Sequence, residues 1–367
     1  MCKYSTADET LQDCKARPPG IYYRRQGEVK LLHYLLKRLL LALLTLFTIL
    51  LVSYCLLRAA PGDPTRSNIL GGEEKSLNSE RGESTVNAAM REKLALDKPW
   101  PVGFAQWLWR VVRHGDFGES VAVYPGRPVT KLVAERLPVT LSLNICAILL
   151  TYILAIPIGV SSAVHRGGWF DRSSNLVLFM LYSLPVMWVG LLLQSYLCEG
   201  GRGGWALFLT RAEVADNGEW SVFRYLGEVF RAYALPVVCL AYGGIAGLSR
   251  YCRGSMLEVI DSDFVRTARA KGLPEFRVIW GHGFRNALVT LITLFGGLLP
   301  GLIAGSVLVE YIFGIPGMGT LSIDSLSSRD YPLQMALFFF SGVLTLAGIL
   351  VADLLYAVAD ARIRLNK

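Results

Sequence analysis

The sequence predicts an all-α integral membrane protein with six transmembrane helices. Of its 367 residues, 53% are hydrophobic and only 18% are charged, and the mean hydropathy is +0.40. A soluble globular chain is nearer about a quarter charged. Crossing a hydrocarbon core takes about 20 apolar residues. Six apolar runs approach that length, at about 39–57, 139–160, 175–198, 232–248, 287–309 and 333–358.

These runs divide the chain into three parts. Residues 1–30 are polar and irregular and end in a basic cluster, which predicts a cytosolic N-terminal extension. Residues 31–137 contain the first transmembrane helix and a long outer segment, and residues 138–367 contain five more helices with a cytosolic loop at 254–284. Lys and Arg concentrate beside one set of loops, which predicts that both termini are cytosolic.

The outer segment contains a Trp-rich stretch, "PWPVGFAQWLWRVVR", whose apolar residues fall on one helical face. Such amphipathic stretches favour the headgroup level of a membrane. A helix lying on the outer surface and a small soluble helical cap are both compatible with this pattern.

Charge and cysteine content exclude some classes of protein. The net charge is +8, but the basic residues lie beside apolar runs, so they indicate topology rather than nucleic-acid binding. The seven Cys include no CxxC pair, and several fall inside apolar runs, where Cys acts as a small hydrophobe. We therefore expect no metal site, no cofactor and no disulfide framework.

The loop at 254–284 contains the most informative stretch, "DSDFVRTARAKGLPEFR". Asp261 or Ser262 can cap a short helix, Gly272 suits the left-handed residue after its end, and Pro274 suits the start of a second helix. Phe264, Ala268 and Leu273 can form an apolar ridge on a slim, basic helix. This pattern fits a helix that docks into another protein, and it fits equally a basic loop resting on lipid headgroups.

The fragment "DFVRTARAKGL", followed by "HGFRNAL", resembles the coupling-helix signature of ABC importer permeases in the peptide-transporter branch. Further fragments in the order of that branch are "RAAPGDP", "HGDFGES", "FGIPGMG" and "SRDYP". The chain is thus similar to the first (B-type) permease of dipeptide, oligopeptide and nickel importers. It departs from that branch at Thr290, where the branch usually has Pro.

The resemblance implies the type I importer permease fold in a bacterial cytoplasmic (inner) membrane. It implies a second homologous permease subunit, cytosolic ABC ATPase subunits, and an extracytoplasmic binding protein that delivers short peptides or a related small solute. The chain itself contains no G-x-x-x-x-G-K-[ST] phosphate loop, so we expect a transport subunit without its own ATPase site. The expected coupling helix comprises Asp263, Phe264, Arg266, Thr267, Ala268, Arg269, Ala270, Lys271, Gly272 and Leu273.

Two further groups of residues are candidates for transport roles. Polar or bending residues at membrane depth could line a path, or could serve packing alone: Tyr182, Ser183, Pro185, Trp188, Asn144 and Gln194. A row of small residues lets helices approach closely, either within the chain or against the partner permease: Gly297, Gly301 and Gly305.

Two other functions are weighed against the importer. An intramembrane serine protease needs a Ser and a His facing each other in the bilayer, but all four His fall at or outside the ends of the apolar runs. An ion-coupled secondary transporter favours buried acidic residues along a route and repeated halves, and the sequence shows neither pattern. It remains the alternative function.

Overall fold

The computed structural model describes residues 19–59, 98–200, 203, 206–210, 222–298 and 306–359. Every regular element in these residues is helical. The helices are α1 Pro19–Ala59, α2 Trp100–His114, α3 Val129–Val164, α4 Trp169–Ser183, α5 Val186–Leu197, α6 Val222–Ile260, α7 Asp263–Ala270, a π-helix Arg277–Gly283, α8 Phe284–Leu298, α9 Val307–Ile312, α10 Met318–Ser327 and α11 Tyr331–Ala359. The predicted all-α class is confirmed.

The chain forms two compact units, Met1–Ile49 and Leu50–Lys367. Helix α1 begins at Pro19, so the expectation of irregular structure up to residue 30 is wrong for residues 19–30. Leucines in the first unit, such as Leu40 and Leu43, are largely exposed, as lipid-facing side chains are. The predicted domain boundaries at residues 30 and 137 stay predictions.

Several helices are long and apolar enough to cross a membrane. Four qualify among the described residues, namely Leu36–Ala59, Val129–Val164, Val222–Ile260 and Tyr331–Leu354. The bent pair α4 and α5 makes a fifth if it is counted as one broken span. Of the predicted run 287–309, residues 299–305 lie outside the described residues. A multi-pass helical protein is therefore confirmed, and the count of six stays a prediction.

The third predicted run is broken at Pro185, where α4 and α5 meet at 95°. A proline has no amide proton and clashes with the preceding turn, so it bends or ends a helix. The carbonyl of Leu184 at this break accepts a hydrogen bond of 2.8 Å from the hydroxyl of Tyr242 in α6. A side chain from a neighbouring helix thus satisfies a backbone group that the break exposes, as membrane helices require.

Helices α3 and α6 pack closely because small residues face each other. A Cβ atom added at Gly159 of α3 would lie 2.7 Å from both the Cβ of Cys252 and the carbonyl oxygen of Ser249 in α6. Ala155 and Cys252 are both fully buried at this contact. Cys252 therefore packs as a small apolar residue, as the sequence predicts.

Helix α2 is amphipathic, and its buried face begins an aromatic row. The ring of Phe104 lies 5.5 Å from that of Tyr54 and 6.2 Å from that of Trp107. Phe117 continues the row, 6.3 Å from Trp107 and 4.9 Å from Phe339 of α11. The row joins the last turns of α1 to α2 and α11.

The carboxylate of Glu310 in α9 is fully buried and heavily hydrogen-bonded. Its Oε1 accepts from the hydroxyls of Thr140 at 2.9 Å and Ser306 at 2.5 Å. Its Oε2 accepts from the amides of Gly319 at 2.6 Å and Thr320 at 3.3 Å. These amides belong to the first turn of α10, where the helix dipole favours a negative charge. Glu310 therefore fixes α10 against α3 and α9.

The turn "FGIPGMG" wraps around this carboxylate. A Cβ added at Gly319 would lie 2.7 Å from Oε2 of Glu310, and one at Gly317 would overlap the same oxygen. The sequence predicts a turn here from Gly and Pro alone. The structure adds that these two glycines leave room for the buried acid.

Asp330 closes a second buried contact, just before α11. Its Oδ2 accepts from the hydroxyl of Ser120 at 2.5 Å and from the three amides of residues 121–123 at 3.0 to 3.2 Å. Its Oδ1 accepts from the amide of Leu333 at 3.3 Å. The segment after α2 is thereby held to the start of α11.

Asp171 forms a third buried contact at the opposite ends of α3 and α6. Arg253 of α6 donates to it from Nε at 2.7 Å and from Nη2 at 2.8 Å. The hydroxyl of Ser162, the amide of Gly167 and the side-chain amide of Asn175 donate to the same carboxylate. Helices α3, α4 and α6 are joined at this point.

Replacing Glu310 with Ala should destabilise the protein strongly. The change leaves two amides and two hydroxyls buried without an acceptor, at about 1–3 kcal/mol for each unsatisfied group. We expect a clear fall in the thermal unfolding temperature of the detergent-purified protein. Glu135→Ala, which removes only an exposed ion pair with Arg127, should have little effect. Equal unfolding temperatures for the two variants would contradict the role of Glu310.

The Asp171–Arg253 pair should show the signature of a buried ion pair. Asp171→Asn leaves the guanidinium of Arg253, whose side chain is 26% exposed, without its charged partner, which should cost about 1–3 kcal/mol. Adding Arg253→Leu to that variant removes the unpaired charge and should recover part of the loss. Thermal unfolding of the single and double variants measures both effects. A double variant no more stable than Asp171→Asn would count against this account.

Candidate functional site: the loop between α6 and α8

Helix α7 begins immediately after α6 through a short turn. Ser262 precedes the helix in extended conformation, and its carbonyl accepts from the amide of Arg266 at 3.2 Å. Its hydroxyl, however, donates to the carbonyl of Val259 rather than accepting from a helix amide. The predicted cap position is confirmed, but the side chain binds the end of α6 instead.

Helix α7 ends at the residues that the sequence predicts. Gly272 has φ of +75°, and its amide donates to the carbonyl of Arg269 at 2.9 Å. A Cβ added at Gly272 would meet nothing within 4 Å, so the backbone conformation alone requires glycine here. The carbonyl of Pro274 accepts from the amides of Arg277 and Val278, which starts the second helical segment. Two short helices form the loop, as predicted.

One face of α7 is seated on the protein itself. Val265 and Ala268 are buried in a cluster with Val278 of the π-helix, and Val259 and Leu273 pack against it. The expected apolar ridge of Phe264, Ala268 and Leu273 is therefore divided, since Ala268 and Leu273 pack inward while Phe264 is exposed. Ala268 turns inward because Val265 and Val278 provide the apolar surface on its side of the helix.

The opposite face of α7 is exposed, basic and aromatic. Phe264 is 44% exposed, and the exposed residues around it are Asp263, Arg266, Thr267, Arg269, Ala270 and Lys271. Phe276, at the start of the second segment, is 74% exposed. The sequence analysis did not single out Phe276. The pattern that could have identified it is an aromatic residue in the first turn after Pro274, two residues before the buried Val278. The loop thus carries two exposed aromatic side chains as well as its exposed basic residues.

One ion pair stiffens the corner between the two helical segments. Arg269 donates to Glu275 from Nη2 at 2.7 Å and from Nε at 3.3 Å. The guanidinium holds the pKa of the Glu275 carboxyl below its usual range. The pair is therefore lost at a lower pH than the ordinary pKa of a glutamate would give.

The inner side of the loop continues into the helical core. Ile279 of the π-helix is buried in a cluster that also contains Ala155 of α3, Met256 of α6 and Leu291 of α8. Packed side chains therefore connect α7, through the π-helix, to α3, α6 and α8. The arrangement suits mechanical transmission. Among the described residues, no group of three or more His, Cys, Asp or Glu side chains could hold a metal ion.

Five of the six predicted path residues lie on α4, on α5 or at the bend between them. Tyr182, Ser183, Pro185 and Trp188 are exposed around the bend between α4 and α5. Trp188 also lines an open depression of about 510 Å³ together with Gln194, whose side chain donates to the carbonyl of Ile312 at 2.9 Å.

Asn144 differs from the other path candidates because it is 7% exposed. Its amide donates to the carbonyl of Thr140 and to the hydroxyl of Ser306. It supports the Glu310 contact from inside the chain. Of the glycine row, Gly301 and Gly305 lie outside the described residues, and for Gly297 the structure gives only a place in α8. A path and a glycine contact stay predictions.

Comparison with known proteins covers nearly the whole chain. Residues 155–365 match the family described as binding-protein-dependent transport system inner membrane component, and residues 31–144 match the N-terminal part of such membrane components. The oligopeptide transport system permease protein AppB of Bacillus subtilis is 39% identical over 330 residues, which is 90% of this chain and 98% of the relative.

A second relative agrees with the first. The dipeptide transport system permease protein DppB of Escherichia coli K12 is 34% identical over 351 residues, covering 92% of this chain and 100% of the relative. The multi-pass helical fold is that of type I ABC permeases. The chain belongs to the family of inner membrane components of binding-protein-dependent transport systems.

Proposed function

We propose that this chain is a permease subunit of an ATP-driven importer that moves short peptides into the bacterial cytoplasm. The observation that carries the proposal is that α7 has two different faces. One face is buried against the helical core, and the other is exposed, basic and aromatic. The two relatives are named as permeases for oligopeptide and dipeptide transport, which supports short peptides as the substrate.

The partners follow from the same proposal. Cytosolic ABC ATPase subunits dock on the exposed face of α7, a second homologous permease completes the path, and an extracytoplasmic binding protein delivers the peptide. The sequence lacks a G-x-x-x-x-G-K-[ST] phosphate loop, which supports hydrolysis by partner chains. The chain acts as a transport subunit and holds no ATPase site of its own.

Orientation in the membrane is part of the proposal. Arg166, in the turn before α4, and Arg172, in the first turn of α4, lie at the same end as α7, since Asp171 binds Arg253 near the end of α6. This end is basic, whereas the short segment 313–330, which contains α10, has one Arg and two Asp. The positive-inside rule then favours α7 and both termini in the cytosol.

The mechanism is mechanical. Phe264 and Phe276 enter apolar grooves of the ATPase, and Arg266 and Lys271 meet its acidic rim. When the ATPase subunits close, α7 moves with them as a rigid body. Val265 and Ala268 transmit the motion to the π-helix and so to α3, α6 and α8. Such rigid-body motion of packed elements is a common way to switch between two states.

The direct test is mild-detergent purification of the chain from its native membrane, with mass spectrometry of what accompanies it. A second multi-span permease and P-loop ATPase chains are the expected companions. Uptake of substrate by this chain alone in liposomes, without ATP, would overturn the proposal in favour of an ion-coupled transporter.

Removing the two exposed aromatic side chains should weaken ATPase docking without unfolding the protein. We expect Phe264→Ala with Phe276→Ala to lower the amount of co-purified ATPase roughly tenfold or more, because buried aromatic anchors dominate interfaces at about 2 kcal/mol or more each. The matched control is Phe223→Ala, which removes an aromatic side chain that is 87% exposed at the other end of α6. Full ATPase retention in the double variant, or equal loss in the control, would refute the docking face.

The left-handed residue after α7 should be needed for coupling. Gly272→Val forces a β-branched residue into a conformation that it rarely adopts, so the end of α7 must shift. We expect peptide transport per ATP hydrolysed to fall severalfold in the reconstituted complex. Gly281→Val places the same side chain in similarly open space without a positive φ and should couple normally. Normal coupling by Gly272→Val would contradict the prediction.

A further inference from the structure

A cavity of about 410 Å³ lies among the last turns of α1, the buried side of α2, the segment after α2 and the start of α11. Its walls include Leu57, Val121 and Met335, which are apolar, together with several polar and charged side chains. None of the contacts described for the loop between α6 and α8 involves this cavity. It is therefore a separate candidate site.

One wall contains an indole without a hydrogen-bond acceptor. Trp107 is 6% exposed, and its Nε1 has no partner among the described residues. An indole N–H can only donate, and leaving such a donor buried costs about 1–3 kcal/mol. Phe104 and Phe117 hold the ring on two sides, so the ring is fixed where it is. A ligand oxygen in the cavity would supply the acceptor.

The charged groups in the walls are balanced. Arg58 and Arg110 carry positive charge, and Asp116 and Glu119 carry negative charge. Arg58 donates to the carbonyl of Lys98, and Asp116 accepts from the amide of Gly118, so both are already oriented by the backbone. A ligand with one charge would face two like charges. A zwitterion with an oxyanion and an ammonium group fits both pairs.

The two helices that line the cavity carry exposed apolar side chains on their other faces, which points to a membrane lipid as the source of this ligand. On the last turns of α1, Val52 and Leu56 are 51% and 66% exposed. On α2, Trp109 and Val112 are 61% and 75% exposed. Exposed aliphatic side chains at the end of a membrane span and an exposed Trp on an amphipathic helix are both typical of the depth of the lipid headgroups.

We propose that this cavity binds the headgroup of a phospholipid that carries a phosphate and a primary ammonium, as phosphatidylethanolamine does. Arg110 and Arg58 face the phosphate, and the indole N–H of Trp107 donates to a phosphate or ester oxygen. Glu119 and Asp116 face the ammonium. The upper part of an acyl chain lies along the apolar wall that includes Leu57 and Met335.

Native mass spectrometry of the full-length, delipidated protein tests this directly. The protein is titrated with phosphatidylethanolamine, phosphatidylglycerol and phosphatidylcholine of identical acyl chains, and separately with inorganic phosphate and a dipeptide. We expect phosphatidylethanolamine to bind at least threefold more tightly than the other two lipids. Neither phosphate nor the dipeptide should displace it. Equal binding of all three lipids, or displacement by phosphate or dipeptide, overturns the proposal.

Two variants assign the binding to this cavity. Trp107→Phe removes the donor and keeps an aromatic ring, and Arg110→Gln removes a charge from an exposed residue. Each should weaken phosphatidylethanolamine binding severalfold, while thermal unfolding confirms that the protein stays folded. The matched control is Arg113→Gln on the same helix, since that guanidinium lies over the ring of Trp109 rather than in the cavity. Unchanged binding in Arg110→Gln, or equal loss in the control, refutes the site.

Discussion

A buried carboxylate must be surrounded by hydrogen-bond donors, and this requirement fixes the fold at three points. Asp171, Glu310 and Asp330 are 4%, 0% and 0% exposed. An unpaired charge at such positions would be very costly. Each carboxylate therefore accepts hydrogen bonds from segments that are distant in sequence. These hydrogen bonds hold a loop against a long helix at each of the three points. The apolar helices supply the bulk of the protein, and the three acids hold the segments between them in place.

The consequence for α7 is that the elements on which it packs are themselves held in place. Asp171 holds α6 through Arg253, near the point where α6 ends. Val265 and Ala268 then hold α7 to the π-helix, whose Ile279 is buried among α3, α6 and α8. A helix of eight residues has little stability alone. Here it is held by packed neighbours, and in the proposed mechanism a push on its exposed face is passed to the long helices through them.

Local chemistry made part of this structure predictable. Gly272 and the break at Pro185 follow from backbone rules that act over a few residues. Helical periodicity shows which residues share a face, but it does not show which face meets the protein, so the inward turn of Ala268 was missed. The turn before α10 was recognisable, whereas its cause, the Glu310 carboxylate, depends on contacts with α3. The 95° angle at Pro185 and the donors of Asp330 likewise depend on tertiary packing.

The contact at Asp330 also sets an order of events during synthesis. Its donors, Ser120 and the amides that follow, leave the ribosome more than 200 residues before the acid that binds them, at a separation of 210 residues for the Ser120 hydroxyl. All helices from α2 to α10 are made before this contact can form. The contact at Asp330 can therefore form only after α2 to α10 have been synthesised, so the segment after α2 has to wait for nearly the whole chain before it is held in place.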